Sequence, residues 1–107
     1  MKLDYEKFLG IFKNADRHNV DETTFYFDDD HDEQEHYLGW IGGQEKPYWV
    51  GYCDIPDGCE YSSAEEMFTA KIYDGRSLKE RWEQADICNI GGIDAETWLS
   101  YYEEDRS

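Results

Sequence analysis

The chain has 107 residues and sets 26 Asp and Glu against ten Lys and Arg, a formal net charge of -16. Such a field repels nucleic acid and anionic membrane and draws in positively charged partners, so neither nucleic acid nor a membrane is the expected partner. Aromatic residues reach 17%, too many for the disorder that acidic composition alone would suggest, and the length fits one domain, 1–107, with one core.

Asp4 is placed to cap a first helix over about residues 5–15, where Tyr5, Phe8, Phe12 and Ala15 recur at helical spacing. Three strand-like stretches follow. Thr23–Asp28 is β-branched and aromatic, and His36–Ile41 alternates before Gly42-Gly43. Lys46–Ile55 contains Tyr48, Trp49, Val50 and Tyr52 and stops at the turn Pro56-Asp57-Gly58. Short connections make an antiparallel meander the simplest arrangement. Ser63-Ala64-Glu65-Glu66 and Ser77-Leu78-Lys79-Glu80 read as capping boxes for two further helices, separated by Asp74-Gly75. Leu78, Trp82 and Ala85 make an apolar stripe, Asp86–Ile90 is a candidate fourth strand, and Asp94 is placed to cap a last helix carrying Ala95, Trp98, Leu99 and Tyr102.

The expected fold is therefore α+β, a small mostly antiparallel sheet of three to four strands with about four helices packed against it. Within the strands Phe25 and Phe27 point one way and Tyr26 the other, and Tyr48 and Tyr52 oppose Trp49. One sheet face should carry helices. Whether the second is covered or stays open as a binding surface is not fixed by the pattern.

The negative charge is local. Residues 18–70 hold 14 acids and one base, Lys46. At its centre, Asp28-Asp29-Asp30-His31-Asp32-Glu33-Gln34-Glu35 places six acids in eight residues. An EF-hand loop starting at Asp28 would need glycine at position six and glutamate at position twelve, but finds Glu33 and Gly39, between strand-like flanks. Like-charged blocks are commonly just solvated loops. Here the repulsion among the acids and the wider imbalance favour a role in binding a partner. The candidate contact residues are Asp28, Asp29, Asp30, Asp32, Glu33 and Glu35. Trp49 and Tyr52 join them as aromatic anchors, with Asp54, Asp57 and Glu60 as flanking acids.

Other residues read more plainly. Trp82 and Trp98 lie on apolar stripes and belong to the core, and core is also the commoner role for an aromatic such as Trp49. His31 and His36 are expected to be solvated loop histidines, and His18 to face a helix C-terminus. Cys53, Cys59 and Cys88 are odd in number and lack CxxC spacing, against both a disulfide framework and a zinc site, although Cys53 and Cys59 span a short loop. The chain contains no P-loop, HExxH, GxSxG elbow or dinucleotide fingerprint, so neither catalysis nor a cofactor or metal is expected. No signal peptide or apolar run of about 20 residues is present, which makes the cytoplasm the expected compartment.

The stretch Ser62-Ser63-Ala64-Glu65-Glu66-Met67-Phe68-Thr69-Ala70-Lys71-Ile72-Tyr73-Asp74-Gly75-Arg76-Ser77-Leu78-Lys79-Glu80-Arg81-Trp82, with Ile93-Asp94-Ala95-Glu96-Thr97-Trp98-Leu99, resembles the bacterial immunity proteins that accompany polymorphic toxins, such as those of contact-dependent growth inhibition. The resemblance covers roughly the last third of the chain, by general character and not by a diagnostic motif. It implies a non-enzymatic protein that neutralises a cognate basic toxin domain one to one, often a nuclease, with RNA the favoured toxin substrate. An acidic surface covering a basic cleft, with steered association, is compatible with that role. The alternatives are an acidic mimic of nucleic acid that occupies a DNA-binding protein, a small metal-binding enzyme, and an acidic adaptor.

Overall fold

The computed structural model describes residues 1–29 and 34–106, with the side chains of 104–106 left aside. In chain order the elements are α1 (Tyr5–Lys13), β1 (Thr23–Phe27), β2 (His36–Trp40), β3 (Tyr48–Val50), β4 (Cys59–Tyr61), α2 (Ala64–Thr69), a 3-10 turn (Trp82–Gln84), β5 (Ala85–Ile90), β6 (Ile93–Asp94) and α3 (Ala95–Arg106). The architecture is α+β, with one antiparallel sheet in the order β4-β3-β2-β1-β5-β6. The meander expected for the first three strands is present and continues into β4, while β5 returns to the far side of β1.

Two expectations are corrected among the described residues. The sheet has six strands, not three to four, because the turns at Asp57-Gly58 and Gly91-Gly92 each lead into a short returning strand. There are three α-helices, not about four. The capping box at Ser77 does form: Ser77 Oγ accepts from Glu80 N–H and Glu80 Oε1 accepts from Ser77 N–H, both at 3.0 Å. Only the turn Trp82–Gln84 follows it before the chain enters β5, so no α-helix propagates. The other caps behave as read. Asp4 accepts from Lys7 N–H, Ser63 from Glu66 N–H and Asp94 from Thr97 N–H.

Burial alternates along the strands and separates the two faces of the sheet. Phe25, Phe27, Leu38, Tyr48, Val50 and Ile87 point into a core shared with Phe8, Ile11 and Phe12 of α1 and Met67 and Phe68 of α2. Leu99 of α3 belongs to the same core. Indole and phenol groups tie this layer together. Trp82 Nε1 donates to Leu3 O, Trp98 Nε1 to Asn19 O, and Tyr48 Oη to Phe12 O, each at 2.7 Å. The Tyr48 bond adds a side-chain donor to a carbonyl at the end of α1 that also accepts from Ala15 N–H. Trp98 is buried as expected, and Trp82 is half-buried against Tyr5 and Phe8. His36 is not a solvated loop residue. It begins β2 on the core side and stacks on Phe25 beside Phe27 and Tyr73, because strand alternation points it inward with Leu38. His18 lies beyond the end of α1 and packs edge-on against Tyr102 and Trp98.

Candidate partner-binding surface

Opposite the helices, the sheet carries a second set of side chains. Tyr26 of β1, Tyr37 of β2, Trp49 of β3 and Glu60 of β4 occupy the alternate positions, all half-buried or exposed. Register fixes their order across the sheet: Trp49 sits opposite Glu60 on one side and Gly39 on the other. Gly39 is what lets the indole lie flat. A Cβ there would stand 2.7 and 2.8 Å from Trp49 Nε1 and Cε2, and closer still to an Asp21 carboxylate oxygen. Trp49 crosses the bare backbone and donates from Nε1 to Asp21 Oδ1 at 2.6 Å. Gly51 does the same for Tyr37, whose Cδ2 would lie 2.8 Å from an added Cβ.

Carboxylates ring these aromatics. Asp21 ends the indole, Glu35 accepts from Tyr26 Oη at 3.0 Å, Glu60 flanks Trp49, and Asp86 pairs across from Tyr26 in β5. Asp86 receives the N-terminal ammonium of Met1. None of the strand residues is Lys or Arg. Three of the ten bases are spent elsewhere: Lys7 pairs with Glu103 of α3, Lys13 with Glu65 of α2, and Lys71 with Glu80. Lys13 and Lys71 hold the Glu65 and Glu80 carboxyls below their usual range, for Glu80 behind the larger effect of the Ser77 N–H. Cys88, beside Asp86 and Glu35, has its thiol pushed up mainly by burial and next by Asp86, which weakens it as a nucleophile.

Beside Trp49 the face deepens into a groove of about 420 Å³ between the β2–β3 and β3–β4 connections, lined by Ile41, Gln44, Lys46, Trp49, Asp57 and Glu60. A smaller cavity of about 220 Å³ lies elsewhere, among Gln34, His36, Tyr52, Asp54, Tyr73 and Arg81.

The expected contact residues therefore fall in different places. Trp49, Asp57 and Glu60 share the groove, and Glu35 lies on the same open face. Tyr52 and Asp54 line the smaller cavity, with the Tyr52 ring edge-on to His36. Asp54 holds two backbone N–H groups, those of Asp74 at 3.0 Å and Gly75 at 2.9 Å. Asp28 pairs with Lys2, and Asp29 with Arg81 at 2.6 Å. These three acids act within the fold. Asp30, Asp32 and Glu33 lie outside the described residues, as does His31.

Asp21, Tyr37 and Asp86 belong to the surface without having been singled out from the sequence. For Tyr37 the signal was present, since it alternates with His36 and Leu38. Asp21 precedes β1, and Asp86 reaches the face only through the β1–β5 pairing, which no local pattern encodes. Among the described residues no group of three or more His, Cys, Asp and Glu is arranged to hold a metal ion, and no helix is long and apolar enough to cross a membrane. No protein-family model, curated protein or solved structure matches the chain.

Proposed function

We propose that this chain is a stoichiometric binding protein that captures a basic protein on its uncovered sheet face. The partner we propose is a toxin nuclease, held inactive by occlusion of its active site, the role of the immunity proteins that the C-terminal segment resembles. The observation that carries the reading is the composition of that face. Tyr26, Tyr37 and Trp49 lie among Asp21, Glu35, Glu60 and Asp86 on strands without a single Lys or Arg. A nuclease must attract phosphate and so presents a basic cleft, for which an acidic surface is the electrostatic complement. Aromatic rings ringed by polar groups supply the desolvated anchors that hold such a complex once formed. The face is carried by paired strands and needs little ordering to bind, which favours occlusion by a preformed surface. The preference for an RNase rests on the resemblance alone.

The test is a titration of a basic toxin nuclease domain with this protein, with nucleic-acid cleavage as the readout. Activity should fall in proportion to added protein and vanish at one equivalent. Trp49→Ala and Glu60→Lys should each raise the amount needed, while Asp28→Asn, on the far side of an internal pair, should not. Full loss of activity at a small fraction of one equivalent would mean turnover and end the capture reading. So would a nuclease left untouched.

A further inference from the structure

The loop between β3 and β4 brings Cys53 and Cys59 together. After Val50 the chain runs outward and then doubles back. Gly58 N–H donates to Ile55 O at 3.0 Å, and Asp57 and Gly58 both adopt positive φ, 67° and 77°. Only glycine fits the second position, since a Cβ there would run into Val50 O. The turn therefore returns Cys59 to a fixed place opposite Val50 in the β3–β4 ladder. The outgoing arm is fixed as well, because Asp54 N–H donates to Ile72 O at 2.7 Å and the Asp54 carboxylate clasps the Asp74-Gly75 turn. Both cysteines pack partly buried against the core, Cys53 Sγ lies 3.6 Å from Ile55 O, and the Cys59 thiol is near enough to disfavour ionisation of Cys53. Cys59 Sγ also lies 3.0 Å from Tyr61 Oη, and Tyr73, 2% exposed with no hydrogen-bond partner for its hydroxyl, sits beside the same pair. Both thiols are free.

We propose that Cys53 and Cys59 are a site of reversible oxidation, closing an intramolecular disulfide when the protein meets a low-molecular-weight disulfide or a peroxide. With glutathione disulfide, one cysteine thiolate attacks a glutathione sulfur and expels a glutathione thiolate. The second cysteine then attacks the protein-bound sulfur and expels the other. The pair loses two protons and two electrons, and the disulfide oxidant is reduced to two glutathione molecules. Holding both thiols in one short, fixed loop makes the second step intramolecular, so no mixed disulfide should accumulate. Burial pushes the Cys53 thiol up, so the reaction should quicken as pH rises and more thiolate forms. The bond pins the loop that presents Asp57 to the groove beside Trp49, and closing a short loop restricts the unfolded chain.

Cys88 supplies an internal comparison, since its neighbours are Asp86 and Glu35. The experiment treats the folded protein with excess glutathione disulfide at pH 8, followed by intact mass and non-reduced peptide mapping. The expected product has Cys53 linked to Cys59 and a single glutathione on Cys88. Its thermal midpoint should lie several degrees above that of the reduced protein, and dithiothreitol should reverse the change. In Cys59→Ser, Cys53 should stop at the glutathione adduct. Separate adducts on Cys53 and Cys59 in the parent, a bond from either to Cys88, or two unreacted thiols while Cys88 is modified would each overturn the proposal.

Discussion

Arg81 is 7% exposed, the only charged residue buried in the core layer among the described residues. Its guanidinium carbon lies 3.7 Å from the centre of the Phe27 ring, with Asp29 at 2.6 Å and Asp74 at 3.7 Å. The two carboxylates are largely in water, at 57% and 92% exposure, so the pairing alone is worth little. Packing of the side-chain stem and the contact with Phe27 matter more. Arg81→Ala should cost about 2–3 kcal/mol and Asp29→Ala less than about 1 kcal/mol, read from urea unfolding midpoints at constant slope. Equal losses would show that the ion pair, and not the packing, holds this corner together. The asymmetry also explains why the acidic run misleads at the level of single residues. The partners of Asp28 and Asp29 are 26 and 52 positions away, so sequence proximity groups acids that the fold distributes to different tasks.

At the scale of elements, alternation made β1 and β2 legible almost to the residue, and Asp4 and Asp94 marked the starts of α1 and α3. The elements that escaped are those with too few residues to show a period. β4 and β6 have three and two residues and exist because a tight turn returns them alongside β3 and β5. β3 ends at Val50, well short of Ile55, because the chain there leaves the ladder to make the Cys53–Gly58 loop. The open face was half legible: Trp49 and Tyr26 could be assigned a side, but what covers each side is decided by where the helices land. Gly39 tests whether the face is as built. In Gly39→Ala the new methyl competes with Trp49 and Asp21 for the same space, and the half-buried indole at the sheet surface is the part that must shift. The loss of one hydrogen bond at the surface should cost about 1 kcal/mol. Trp49 emission should shift to the red, and affinity for the basic partner should fall at least tenfold. Unchanged fluorescence and binding would show that the indole does not depend on a bare backbone beneath it.

For the molecule as a whole, charge acts in opposite directions on folding and on binding. Lys7, Lys13 and Lys71 pair with Glu103, Glu65 and Glu80, while the carboxylates of the sheet face stand beside strands without Lys or Arg in a chain of net charge -16. In the free protein these carboxylates repel one another, and salt screens that repulsion over about 10 Å at 0.1 M. Raising salt from about 0.02 to 0.3 M should therefore raise the unfolding free energy of the isolated chain, since the surface ion pairs lost to screening are individually weak. The same change should slow association with the basic partner by about tenfold or more, because the attraction that steers the encounter is screened in the same way. Dissociation, governed by the aromatic contacts, should change far less. Chemical denaturation by urea and stopped-flow mixing across the salt series measure the two effects separately. Falling stability would mean that Lys13–Glu65 and its companions outweigh the repulsion. An association rate that stays flat while stability rises would leave the acidic face a solvated surface and move the binding site elsewhere on the fold.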